Sequence, residues 1–181
     1  MYKLLDILKE SIDKEYTIYC DMDGVLVDFD KGYAEITGVE NKSKNVNEFW
    51  SLLHDKLKEK NMSEEDFWAT LPKMEGCDEL WSIISPYNPF ILTSPSRNPE
   101  SRSGKTKWIQ NNLSPQPQDI YFRYSGNKHD ILQGKTEEEI SNSILVDDFY
   151  KNIKPWKEVG AKAIYYTSPS SGISQLNKLG I

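Results

Sequence analysis

The stretch IYCDMDGVLVDFD, residues 18–30, decides how the rest of the chain is read. An apolar run ends at Cys20, and carboxylates follow at Asp21, Asp23, Asp28 and Asp30. Carboxylates gathered beside a buried strand repel one another and lose hydration, so the cluster needs bulk solvent, a metal ion or a chemical role. Working outward, short runs rich in β-branched and aromatic residues recur at 16–20, 89–92, 120–122, 143–146 and 163–166. Helix-length segments lie between most of them, such as 101–113 and 150–159, the latter stopped by Gly160. The alternation predicts an α/β fold: a Rossmann-like, mostly parallel sheet of about five strands with flanking helices.

One connection breaks the rhythm. About 70 residues separate the first strand from the second, where a crossover needs little more than a dozen. The excess reads as helical. Phe49, Trp50, Leu52, Leu53 and Leu57 share a broad face over 47–60, and Ser63 begins SEED, an N-cap with an acid three residues on. This places a small helical cap at 32–76, inserted into a core made of 1–31 and 77–181. A chain of 181 residues has room for one such core and one small insertion.

With 22 Lys+Arg against 28 Asp+Glu the net charge is -6, which disfavours a surface tracking long nucleic acid but leaves room for a local basic pocket. Cys20 and Cys77 have no metal-ligand spacing and read as reduced thiols of a cytoplasmic protein. Leu4, Leu5, Leu8 and Ile12 alternate with charges, which predicts an amphipathic helix that docks on the sheet or covers an edge. It is not a signal peptide or a membrane span, so a soluble protein is expected. Neither His54 nor His129 has a ligand-spaced partner.

In open parallel sheets ligands bind beyond the carboxyl ends of the strands. Here those ends carry Asp21 and Asp23, then Thr93 and Ser94, then Asp147 and Asp148, and Lys128 can supply a cation to the same rim. Mg²⁺ takes oxygen ligands, commonly one or two carboxylates plus a substrate phosphate, and Asp21, Asp147 and Asp148 suit it. A carboxylate can also attack phosphorus, with a second acid protonating the leaving oxygen; Asp23 beside Gly24 could turn toward that oxygen if the backbone curls. Thr93 and Ser94 would donate to the transferring oxygens while Lys128 offsets their charge. Each residue has a plainer use. Acids and glycine form turns, the Asp147–Asp148 pair can cap a helix, Thr93 and Ser94 precede Pro95, and lone lysines are mostly solvated. Their coincidence at strand ends favours chemistry. Asp28 and Asp30 fit a helix start better than a site, and Lys105 and Lys107 fall on a helix where exposure is the default.

The strings DMDGV (21–25), ILTS (91–94), Lys128 and ILVDD (144–148) stand in the order and spacing of the four motifs of the haloacid dehalogenase (HAD) superfamily, which the chain resembles over most of its length. The resemblance implies that Asp21 is a nucleophile and that Asp23 is the acid and base found in phosphatases and phosphomutases. It implies Mg²⁺ held by Asp21, the main-chain carbonyl of Asp23, Asp147 and Asp148, and a cap that closes over substrate. A narrower likeness joins DMDGVLVDF, the Phe49–Trp50 pair, FILTSPS, GKTKWIQNNL and NKHDILQG to the 5'(3')-deoxyribonucleotidase group. It implies a deoxynucleoside monophosphate as the small-molecule partner, with Phe29 facing the base and Phe49, Trp50, Phe67 or Trp68 closing an aromatic pocket. Rings at helical spacing in a small insertion also serve as its core, and at least two of the last four are expected to do so. The family's frequent dimerisation allows a homodimer. Phe149 departs from the basic residue common in that group, a change that bears on substrate more than on chemistry. The expectation is a Mg²⁺-dependent phosphomonoesterase working through an aspartyl-phosphate. Its alternatives are a phosphatase for another small ester or for 3'-phosphorylated nucleic-acid ends, and a catalytically silent binding module of the same fold.

Overall fold

In a computed structural model of the chain, residues 16–40 and 45–181 are described. The helix expected over the first dozen residues lies outside them. Among the described residues five strands form one sheet: β1 (Thr17–Cys20), β2 (Phe90–Thr93), β3 (Ile120–Phe122), β4 (Ser143–Asp147) and β5 (Lys162–Tyr165). Their order is β3-β2-β1-β4-β5 and every pairing is parallel. Each strand lies within one or two residues of the apolar run that predicts it.

Side chains alternate across the sheet and feed two cores. Ile18, Cys20, Ile91, Ile144 and Val146 point to one face, where Leu80, Trp81, Trp108 and Leu176 cover them. Tyr19, Leu92, Leu145 and Ala163 point to the other, under Ile153 and Trp156. Tyr19 sits at the centre of that second layer, with ring centroids 5.3 Å from both Phe90 and Trp156.

The long connection after β1 carries α1 (Phe29–Thr37), α2 (Val46–Glu59), α3 (Glu64–Ala69) and α4 (Cys77–Ile84). Asp28 caps α1, accepting from the Lys31 amide at 2.9 Å, the helix-start role expected of it. Ser63 caps α3 through the Asp66 amide at 3.0 Å. α2 buries Phe49, Leu53 and Leu57, one residue per turn. Residues 31 and 32 lie inside α1, so that helix runs across the boundary expected for the cap. The insertion also shares its core with the sheet: Phe49, Phe67, Trp68 and Leu71 belong to the same cluster as Ile18 and Trp108.

The remaining helices are α5 (Glu100–Asn112), α6 (Glu137–Ser141), α7 (Tyr150–Glu158) and α8 (Pro169–Asn177). α3 lies tightly on α5 because Gly104 has no side chain there; a Cβ would stand 2.4 Å from the Glu65 carbonyl oxygen. The Trp108 indole N–H donates to the Leu71 carbonyl at 2.7 Å and pins the end of the insertion. Cys20 and Cys77 are free thiols, and both are buried. No helix among the described residues is long and apolar enough to cross a membrane.

Candidate active site

The parallel register pairs Cys20 with Val146, so the residues that follow, Asp21 and Asp147, emerge side by side. After Asp21 the chain curls tightly. The Val25, Leu26 and Val27 amides all donate to the Met22 carbonyl, at 3.3, 2.8 and 2.9 Å. Gly24 takes φ +78°, open to glycine at little cost, and a Cβ there would fall 2.1 Å from the Asp148 carboxylate. Glycine is therefore required twice over. The curl turns Asp23 into the cleft that Asp21 also lines.

Lys128 lies in a short 3-10 turn, 1% exposed, with its ammonium 2.7 Å from both Asp21 Oδ1 and Asp147 Oδ2. Asp147 also accepts from Asn152 Nδ2, at 3.1 and 2.9 Å, and from the Phe149 amide at 2.8 Å. Burial and then the charge of Asp21 raise the Asp147 pKa to about 6, against the pull of Lys128. Asp148 is exposed as a residue, but loss of hydration around its carboxylate and then the charges of Asp21 and Asp147 push it up to about 7. Carboxylate oxygens of Asp21, Asp147 and Asp148 lie within 4.8 Å of one another. Three converging carboxylate oxygens, with the ionisation of Asp147 and Asp148 resisted by burial and by neighbouring charge, are the donor set a hard divalent cation relieves, so these residues fit Mg²⁺.

Thr93, fully buried at the end of β2, accepts from Lys105 Nζ at 3.0 Å. The same ammonium pairs with Asp23 Oδ2 and sits 4.5 Å from the Trp68 ring centroid. Lys105 is 0% exposed, which corrects the expectation of a solvated helix lysine. The sequence carries part of the signal. Ser101, Gly104, Lys105, Trp108 and Ile109 form one buried stripe of α5, and Lys107 falls off it and is exposed. Burial raises the Asp23 pKa while Lys105 pulls it down. With Oδ2 taken by Lys105, Asp23 Oδ1 is buried without a partner among the described residues.

Ser94 lines the cleft and exchanges a hydrogen bond with Ser125 Oγ at 3.1 Å. Ser125 and Asn152 also line it, and no motif pointed to either, because both act through the fold. The cleft encloses about 270 Å³, with Phe29, Met74 and Phe149 as its apolar walls. Of the five expected aromatic contacts, only Phe29 lines it. Phe49, Phe67 and Trp68 are buried, and Phe29 stacks on Trp68 at 5.2 Å between centroids. Trp50 lines a separate cavity of about 360 Å³ between α2 and the loop 96–98. Phe49 and Trp68 are thus core rings, because an insertion this small buries enough apolar area only by using its largest side chains.

No family model matches the sequence, and no curated protein matches it. Solved structures do. A hydrolase from Streptococcus pneumoniae TIGR4 superposes with a TM-score of 0.59 at 14% identity, over 90% of this chain and 99% of that one. A HAD family enzyme from Bacteroides thetaiotaomicron gives 0.53 at 14% identity, over 90% and 98%. The chain shares the Rossmann-like α/β fold of these proteins. At these identities the likeness is one of architecture, and it agrees with the placing of Asp21, Thr93 and Asp147 at strand ends.

Proposed function

We propose that the chain is a Mg²⁺-dependent phosphomonoesterase of the HAD type. One observation carries the reading: Asp21, Asp147 and Asp148 converge within 4.8 Å at the sheet's carboxyl rim, with Asp23 held beside them by a buried lysine. Asp21, Asp147, Asp148 and the Asp23 main-chain carbonyl would hold the cation. Bound there, Mg²⁺ would neutralise charge on the phosphoryl oxygens and on the ligating carboxylates. Asp21, steadied by the Met22 amide at 2.8 Å, attacks phosphorus. As the bond from its oxygen forms and the ester P–O bond breaks, Asp23 gives its proton to the departing alkoxide. The unpaired Oδ1 is the atom free to carry that proton. Asp23 then takes a proton from water, whose oxygen displaces Asp21 and releases inorganic phosphate. Thr93, Ser94 and Lys128 would hold the transferring oxygens.

The substrate we favour is a (deoxy)nucleoside monophosphate, supported by Phe29 and Phe149 on the cleft wall. A base stacked on such a ring gains roughly 1–3 kcal/mol. The same apolar walls suit another small ester, which is the second reading. The inserted helices would be the cap over the leaving group. The test is phosphate release from deoxy- and ribonucleoside monophosphates, sugar phosphates and a 3'-phosphorylated oligonucleotide, with Mg²⁺ and with EDTA. Mg²⁺-dependent preference for nucleotides is the expected result. Activity confined to other esters discards the nucleotide, and silence across the panel, with phosphate and Mg²⁺ still bound, favours a binding module.

A further inference from the structure

We propose that Glu64 is a positioning residue that fastens the inserted helices to the phosphate-binding loop, so that the seat of the insertion and the placement of Thr93 and Ser94 are set together. The proposal rests on the phosphatase reading for its catalytic consequence. Glu64 opens α3, where a glutamate would ordinarily be solvated, yet it is 5% exposed. Its Oε1 accepts from Ser96 Oγ at 2.6 Å and from Trp68 Nε1 at 3.1 Å. Its Oε2 accepts from Asn98 Nδ2 at 2.8 Å and meets His54 Nε2 at 3.2 Å. The four partners come from α2, from α3 and from the loop after β2. A carboxylate has about four acceptor positions, and all are used.

The loop end of this tether is stiff. The Ser96 amide donates to buried Ser101 Oγ at 3.0 Å, and the Asn98 amide donates to Ser96 Oγ at 3.1 Å. A second route reaches the reacting groups from the other side. Trp68, held by Glu64, lies under Lys105, which in turn holds Thr93 and Asp23. Removing the carboxylate loosens both routes without touching phosphate or metal.

The orientation of Asn98 makes the idea testable. Its Oδ1 accepts from the Glu100 amide at 3.0 Å, so its Nδ2 must face Glu64 as a donor. An amide at position 64 would set N–H against N–H, at Asn98 or at Trp68, whichever way it turned. His54 can switch tautomer; the other two donors cannot. In Glu64→Gln we expect amide exchange across 94–101 to quicken at least ~10-fold, the scale of one buried unmet donor. Turnover of p-nitrophenyl phosphate with Mg²⁺ should fall by a similar factor with KM changed less than ~2-fold, because the lost contact orients the transferring group and does not touch the leaving group. Adding Asn98→Asp supplies an acceptor opposite the new amide while still capping Glu100, so the double variant should regain loop protection and kcat to within ~3-fold of wild type. A purely structural glutamate would shift the melting midpoint alone. Unchanged loop exchange in Glu64→Gln, a kcat equal to wild type, or no recovery in the double variant overturns the proposal. If the wild type hydrolyses no ester, the phosphatase reading fails on its own, and loop exchange in the same three variants still upholds or rejects the tether.

Discussion

At the scale of single residues, the site is a set of charges that are tolerable only together. Asp21 and Asp147 share one buried cation, Lys128, and Asp23 and Thr93 share another, Lys105. Breaking a buried pair leaves a charge without a partner in low dielectric, which costs more than the pair itself contributes. Asp21→Asn removes the proposed nucleophile while keeping shape and the Met22 contact, so turnover should drop ~10³-fold or more with folding retained; steady-state kinetics beside a far-UV spectrum check it. Undiminished turnover would reject the mechanism. Lys105→Met keeps the apolar stem under Trp68 but leaves Asp23 and Thr93 without their cation. The expected loss is about 10²-fold in kcat, together with a lower melting midpoint. A variant that melts early yet turns over normally would confine Lys105 to a structural role.

At the scale of elements, two close approaches place the chemistry. The Gly24 curl returns Asp23 to the cleft, and Gly104 lets α3 lie on α5 so that Trp68 reaches Lys105. In Gly104→Ala the new methyl group would meet the Glu65 carbonyl oxygen at 2.4 Å and Trp68 Cβ at 2.6 Å. Overpacking of this kind costs about 1–3 kcal/mol even though alanine is the better helix former. Chemical denaturation measures it, and a stabilised variant would mean that α3 gives way freely. Strands and long helices were legible in the sequence because their periodicity is local: Ile18, Cys20 and Tyr19 alternate, and α2 repeats its apolar residue every turn. The burial of Lys105 was partly legible, since it shares the stripe of Trp108, but a lysine on an apolar stripe announces a partner only when Asp23 stands opposite. The direction of the insertion's rings was not legible. Helical spacing groups Phe49 with Leu53 and Leu57 without saying whether that face meets the sheet or the cleft.

At the scale of the whole molecule, the rim ties stability to pH, and through the proposed metal site to cation as well. Asp147 and Asp148 have ordinary pKa values of 3.8, which serve for the unfolded chain, and are raised to about 6 and about 7 in the fold. The folded state therefore binds these protons more tightly than the unfolded state. Their contribution is fully present below pH 4 and is lost as pH rises toward 7. Metal-free protein should lose melting temperature on this account between pH 5 and 7.5, and Asp148→Asn should flatten the fall. Added Mg²⁺ should reverse it at pH 7.5, by about 2.7 kcal/mol at a hundredfold excess over Kd, and much less at pH 5 where protons compete. A melting temperature indifferent to Mg²⁺ at pH 7.5 would count against the metal site.

Taken alone, the sequence determined the α/β class, the order of elements, the positions of Asp21, Asp23, Thr93, Ser94, Asp147 and Asp148 at strand ends, and Lys128 as a cation for the same rim. Those features depend on period and on residue type within a few neighbours, and both survive in a linear string. Tertiary structure decided the rest: that Lys128 bridges two carboxylates, that Lys105 and Glu64 are buried, that Ser125 and Asn152 reach the cleft, and that of the aromatic set only Phe29 does. Each of these depends on which distant segment supplies the partner. A buried charge takes its meaning from the group opposite it, and that group is brought there only by the fold.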